Sequence, residues 1–216
     1  MKIKIISIIT LGIILLSCNQ NNTKQADQQI SSLRSSIENG KSVKDIAAIH
    51  IIPLGNVDKK IVVDIVRGLT DFYHKKIIVE KPVPLDAHLL AASKKRYSGD
   101  SILKRFNSST NTLVVSEVDI VTPKKGVTNE WGVFGLGFRP GTVCVISSYR
   151  LKKDASPKLF TERLQKVSIH EVGHNLGLEH CTKDPECMMN AAKGTIKQVD
   201  LEKIMFCKNC SRIIGL

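Results

Sequence analysis

The residues of this chain best suited to chemistry lie together at positions 170–180, which read HEVGHNLGLEH. On a helix, His170 and His174 share a face one turn apart, so their imidazoles can converge on one metal ion. Glu171 stands beside them, placed to accept a proton from a water activated at that ion. Gly177 lets the backbone leave the helix in a left-handed turn, a conformation that only glycine adopts cheaply. That turn swings His180 back as a third ligand. Three histidine ligands leave the fourth position of a tetrahedral zinc ion open, which marks a catalytic rather than a structural site.

A second group of chemically able residues follows directly. Of the six cysteines, Cys181, Cys187, Cys207 and Cys210 fall in the last 36 residues, as a separated pair and then a CxxC. Four thiolates at such spacings suit a structural zinc ion. In an exported protein, two disulfides are the competing arrangement. The CxxC favours metal, because cysteines so close in sequence form strained disulfides. Cys144 sits in an apolar run and reads as a buried free thiol.

The remaining cysteine belongs to a different kind of signal. Lys2 and Lys4 precede an apolar run from Ile5 to Leu16, which ends in Leu15-Leu16-Ser17-Cys18. The run has signal-peptide length and is short for a membrane span. A small residue before a cysteine at this point resembles the lipobox of bacterial lipoproteins. Cleavage before Cys18 and lipidation of its thiol would leave an extracytoplasmic protein anchored to the membrane without spanning it. An ordinary secretory signal is the alternative. Residues 1–17 are thus expected to be the signal, residues 18–45, rich in Asn, Gln, Ser and Lys, a flexible tether, and residues 46–216 one catalytic domain.

The net charge of +12 raises nucleic-acid binding, but the basic residues are dispersed and aromatics make up only 5%. That argues against a nucleic-acid partner. Attraction to anionic lipid headgroups or acidic polymers is a simpler expectation, and a generic basic surface simpler still. The chain is expected to be a monomer.

The elements that must position these groups can be read from periodicity. Ala47–Ile52 is expected as a buried strand, ended by Pro53-Leu54-Gly55, and Asp58 as the cap of a helix to about His74. Further strands are expected at Lys76–Glu80, Asn111–Val118 and Gly141–Tyr149, and a helix at Ser98–Asn107. Gly132–Phe138 alternates glycine with apolar residues and reads as one exposed strand beside something that approaches closely. Lys158–Leu176 is the amphipathic active-site helix. Trp131 and Tyr149 could line a cleft, although such residues more often pack, and His50, His74 and His88 read as isolated histidines. Alternation of helix and strand predicts an α/β (α+β) fold, a mixed twisted sheet with covering helices.

With these residues in view the chain resembles the archaemetzincins, a family of metzincin zinc peptidases. The resemblance rests on HEVGHNLGLEH followed at once by Cys181, then Cys187-Met188-Met189, a seventeen-residue spacer and Cys207-Lys208-Asn209-Cys210. It extends upstream through Ile51-Ile52-Pro53-Leu54-Gly55, Ser116–Ile120 and Trp131–Gly137, and so covers residue 47 to the C-terminus. It implies a metzincin-like fold with a small zinc-bound C-terminal subdomain. It further implies two zinc ions: a catalytic one on His170, His174 and His180, and a structural one on the four cysteines. Glu171 would be the general base and Met189 the methionine of the turn beneath the catalytic zinc. The implied activity is hydrolysis of peptide bonds in a peptide or protein substrate. A lipid-anchored binding module whose zinc site is structural or vestigial is the reading from another class, although such a module needs no Glu171.

Overall fold

Strand β1 (Ala48–Leu54), helix α1 (Lys59–Tyr73) and strand β2 (Lys76–Val79) form a β-α-β unit with β1 and β2 parallel. The computed structural model describes residues 42–124, 126 and 130–216. The expected leader, Cys18 and the tether as far as residue 41 lie outside the described residues. Helix α1 follows its sequence pattern closely. The Asp58 side chain accepts from the Lys60 N–H, Ile61, Ile65, Leu69 and Tyr73 are buried at helical spacing, and His74 ends the helix at φ 52°.

Strand β1 also pairs in parallel with β4 (Thr112–Ser116), and β4 with β8 (Val143–Ser147). Every residue of β4 and β8 is buried, as parallel strands covered on both faces require. The short β7 (Gly135–Gly137) joins β8 antiparallel, giving the order β2-β1-β4-β8-β7. A smaller sheet is made by β3 (Tyr97–Ser98), β5 (Ile120–Thr122) and β6 (Trp131–Gly132), next to helix α2 (Gly99–Phe106).

The single strand expected over Gly132–Phe138 is therefore two strands in different sheets. The switch falls at Val133-Phe134. The Val133 N–H donates to Ile120 O at 3.2 Å in the small sheet, whereas Phe134 O accepts from Ser147 N at 2.8 Å in the large one. Local alternation could not show this, because the partners that divide the segment are distant in sequence.

Helix α3 (Pro157–Asn175) starts with Ser156 capping Leu159 N and Pro157 in the first turn. Its expected amphipathic face is absent. It packs against α1, the β7–β8 edge and helix α4 (Ile196–Leu201), so most of its second half is buried all round. Several buried polar groups on α3 find partners, whereas the Asn175 amide has none among the described residues. Arg163 binds Asp200 through two bonds of 2.7 and 2.8 Å and also donates to the carbonyls of Leu151 and Lys153. Helix α4 and the C-terminal α5 (Lys208–Ile214) had no counterpart in the sequence reading; each is under eight residues, too short for periodicity to register.

The fold begins before residue 46. Val43 and Ile46 are each 4% exposed in the main core, and the Ser42 hydroxyl donates to Ile214 O at 3.2 Å. Val43 is a lone apolar residue in the polar stretch and gives no local signal. Among the described residues no helix is long and apolar enough to cross a membrane.

Candidate active site and metal centre

The helical spacing of His170 and His174 does what the sequence required. Their ring centroids are 4.6 Å apart, and those of His180 lie 5.5 and 4.9 Å from them. One ligand atom from each of the three falls within 4.8 Å of the others. Gly177 has φ 98° at the end of α3. The turn it permits places Leu178 O 2.7 Å from His174 Nδ1 and returns the chain so that His180 faces the helix. His170 Nδ1 meets Met188 O, also at 2.7 Å. With each Nδ1–H donated to a carbonyl, Nε2 is left as the free donor of both rings, the orientation a metal-ligating imidazole takes. Burial, the neighbouring imidazoles and other nearby charge keep all three rings neutral: His170 is lowered to about 3, His174 to about 4, and His180 is lowered too. Neutral rings are the form that binds a cation.

Glu171 is 6% exposed and lines the same cleft, a cavity of about 510 Å³. Burial raises its carboxyl to about 8. A dication held by the three imidazoles acts in the opposite direction and favours the carboxylate. The close approach foreseen at the glycine-rich segment is an approach to this carboxylate. A Cβ at Gly135 would lie 2.5 Å from Glu171 Oε1 and 2.6 Å from Cγ, and one at Gly137 would lie 3.4 Å from Oε2. Gly135→Ala is expected to leave folding and metal content nearly unchanged, because the Glu171 side chain from Cγ outward, and no backbone, must move. Turnover should fall at least about tenfold, since ångström-scale displacement of a catalytic group is costly. A variant with parental turnover and bound metal would show that Glu171 tolerates the shift.

Strand β7 lies at the end of its sheet. Phe134 O and Phe138 N bond to β8, at 2.8 and 3.4 Å. By the alternation of an antiparallel ladder, the peptide groups of Gly135 and Gly137 point away from β8 toward the open edge. Trp131, one of the two aromatic residues that could line a cleft, does so, with Lys124 Nζ 3.6 Å above its ring. Tyr149 does not line the cleft and is exposed.

Below the histidines, Met189 is fully buried, and a Cβ on Gly173 would fall 2.8 Å from its sulfur. The methionine therefore packs on the turn of α3 between the two ligand positions. Asn190 pins this segment, its Nδ2 donating to the carbonyls of Asp184, Pro185 and Cys187.

The four cysteines come together as the spacing suggested. Sγ of Cys181 lies 3.7 Å from that of Cys207, and Sγ of Cys187 lies 3.9 Å from that of Cys210. Ligands at the ~2.3 Å Zn–S distance in a tetrahedron are about 3.8 Å apart, whereas a disulfide needs about 2.05 Å. The arrangement fits a four-thiolate metal site better than two disulfides. Cys144 is separate and buried, its thiol directed at Thr112 O.

The two centres are joined covalently and by hydrogen bonds. Cys181 follows His180, and its N–H donates to Met189 O at 2.8 Å. Cys187 precedes Met188, whose carbonyl holds His170, and the Cys187 sulfur accepts from Cys207 N at 3.3 Å.

This architecture, with its cleft of histidines at a sheet edge, is that of the zinc metallopeptidases, and known proteins give the family. The profile of Peptidase family M54 matches residues 38–215. The archaemetzincin of Pyrococcus furiosus is 30% identical over 180 residues, covering 76% of this chain and 90% of that protein. That of Haloarcula marismortui is 27% identical over 175 residues, covering 76% and 97%. The crystal structure of an archaemetzincin from Archaeoglobus fulgidus, complexed with malonate, superposes with a TM-score of 0.68 at 30% identity over 77% of this chain and 99% of that one. The chain belongs to the archaemetzincins, Peptidase family M54. It is accordingly a zinc metallopeptidase acting on peptides, with a metzincin-like fold. The reading as a binding module gives way to this membership.

Proposed function

We propose that the chain hydrolyses peptide bonds at a zinc ion held by His170, His174 and His180, with Glu171 as general base. The observation that carries this reading is the pairing of two outward-turned Nε2 donors, fixed by Met188 O and Leu178 O, with a buried carboxyl in the same cleft. Bound zinc would supply Lewis acidity toward the scissile carbonyl and toward water. Glu171 takes the proton from the attacking water and returns it to the leaving amine. The open edge of β7 offers the peptide groups of Gly135 and Gly137 to an extended substrate, which aligns the scissile bond over the histidines. Met189 supports the ligand helix from below. Cys181, Cys187, Cys207 and Cys210 would hold a second zinc, which would fix the turn that carries Met188 and Met189.

A peptide library digested with the zinc-loaded protein tests the activity. Defined cleavages that stop on chelation and return with zinc are the expected result. Cleavage that survives complete metal removal would sink the reading.

The same proposal places the protein on a bacterial membrane, on the extracytoplasmic side, anchored by a lipid on Cys18 as a monomer. Support comes from the lipobox-like Leu15-Leu16-Ser17-Cys18 and the polar stretch after it. In a bacterial host, Cys18→Ala should move the protein out of the detergent-dependent membrane fraction. Membrane retention equal to the parent would remove the anchor from the picture.

A further inference from the structure

The cleft continues past the histidines, along the half of α3 that precedes them. Lys166 and Val167 line it from α3, Val199 and Glu202 from α4 and its end, and Trp131 from the segment before β7. At the opposite end the lining residues are Arg139 and His180. A peptide that adds antiparallel to β7 runs from Arg139 toward Trp131. The side chain just after the scissile bond then faces Val167, Val199 and Glu202. This placement rests on the substrate alignment proposed above.

Glu202 is the unusual member of that wall. It is 5% exposed, yet it borders the cavity. Its carboxylate accepts one neutral hydrogen bond, from Gln198 Nε2 at 3.2 Å, and it takes part in no ion pair among the described residues. Lys166, the nearby cation, has two of its three N–H groups engaged elsewhere. Its ammonium donates to Val199 O at 3.0 Å and pairs with Glu162 at 2.7 Å. Lys124 and Lys193 also line the cleft but are exposed, where water and salt screen them. A carboxylate can accept about four hydrogen bonds and an ammonium can donate three. Glu202 therefore has more open acceptor positions than the one N–H left on Lys166 can fill. Burying a carboxylate without a partner is costly, and such a group in a cleft points to ligand recognition. The valines and Trp131 would cover the methylene stem of a long side chain while its charged end reaches Glu202.

We infer that Glu202 determines specificity for the residue following the scissile bond, and that the cleft selects arginine or lysine there. Arginine should be favoured, because its planar fork matches a carboxylate through two bonds.

Binding separates this inference from turnover. The probes are two short peptide hydroxamates, with arginine or leucine at the position after the metal-binding group, titrated calorimetrically into the zinc-loaded full chain. The arginine probe is expected to bind about tenfold more tightly or better. Glu202→Gln should bring the two probes within about threefold, and Glu202→Leu should reverse the preference. A parent that binds the leucine probe more tightly, binds the two equally or binds neither overturns the inference, as does an arginine preference that persists in both variants. A selective parent that cuts no peptide would leave the pocket assignment standing and count against peptide hydrolysis. Library cleavage without a basic preference after the cut would do the reverse.

Discussion

Glu171→Ala is expected to keep its zinc and lose hydrolysis by roughly 10²–10⁴-fold, the usual contribution of a positioned general base. The two effects separate because different contacts govern them. The ligand rings of His170 and His174 are oriented by Met188 O and Leu178 O, which the substitution does not touch. The carboxyl itself is enclosed beneath Gly135 and Gly137. Truncation leaves a small space there and no other carboxylate among the described residues lining the cleft than Glu202, which lies with α4. The loss should appear in kcat more than in KM, since a proton-transfer group acts in the transition state. Metal analysis alongside turnover of a cleaved library peptide reads both. A variant with full zinc and parental kcat would exclude Glu171 as the base.

Cys207→Ser is expected to have an effect well beyond its own site. It removes one of four clustered sulfurs and also disturbs the contact that Cys207 N makes with the Cys187 sulfur. Cys187 leads directly to Met188, whose N–H is held by Met205 O at 3.0 Å and whose carbonyl orients His170. Cys181 adjoins His180 and binds Met189 O. A loosened thiolate centre therefore frees the partners of two catalytic-site histidines, although Cys207 touches neither. Loss of such supporting contacts typically weakens metal affinity about 10- to 100-fold. Chelator competition should show that weakening of the histidine-bound zinc, together with a lower melting temperature. Unchanged affinity at the histidine site would mean that the two centres are independent.

The central chemistry was legible in the sequence because it is local. His170, Glu171 and His174 are related by the period of one helix, and Gly177 is the residue that the following turn demands. The pattern of α1 was equally clear: its cap, its buried stripe and its end all lie within one stretch. Structure was misread where distant parts of the chain decide the outcome. Lys158–Leu176 reads as one-sided, yet α3 is enclosed because α4 covers a face that the sequence does not mark as apolar. Arg163 and Lys166 are buried there only because Asp200, Glu162 and main-chain carbonyls accept their hydrogen bonds.

The sequence alone determined the residue types of the candidate metal sites, the helical register of His170 and His174 and the likeness to a family of zinc peptidases. Side-chain identity and short-range backbone geometry are enough for that. The tertiary structure decided how the ligands are aimed, which glycine edge lies over Glu171, and that Cys187 and Met188 tie the two centres together. It also decided that Glu202 borders the cleft without an ionic partner. These are contacts between segments far apart in the chain, fixed only when the sheet, α3 and the C-terminal helices pack.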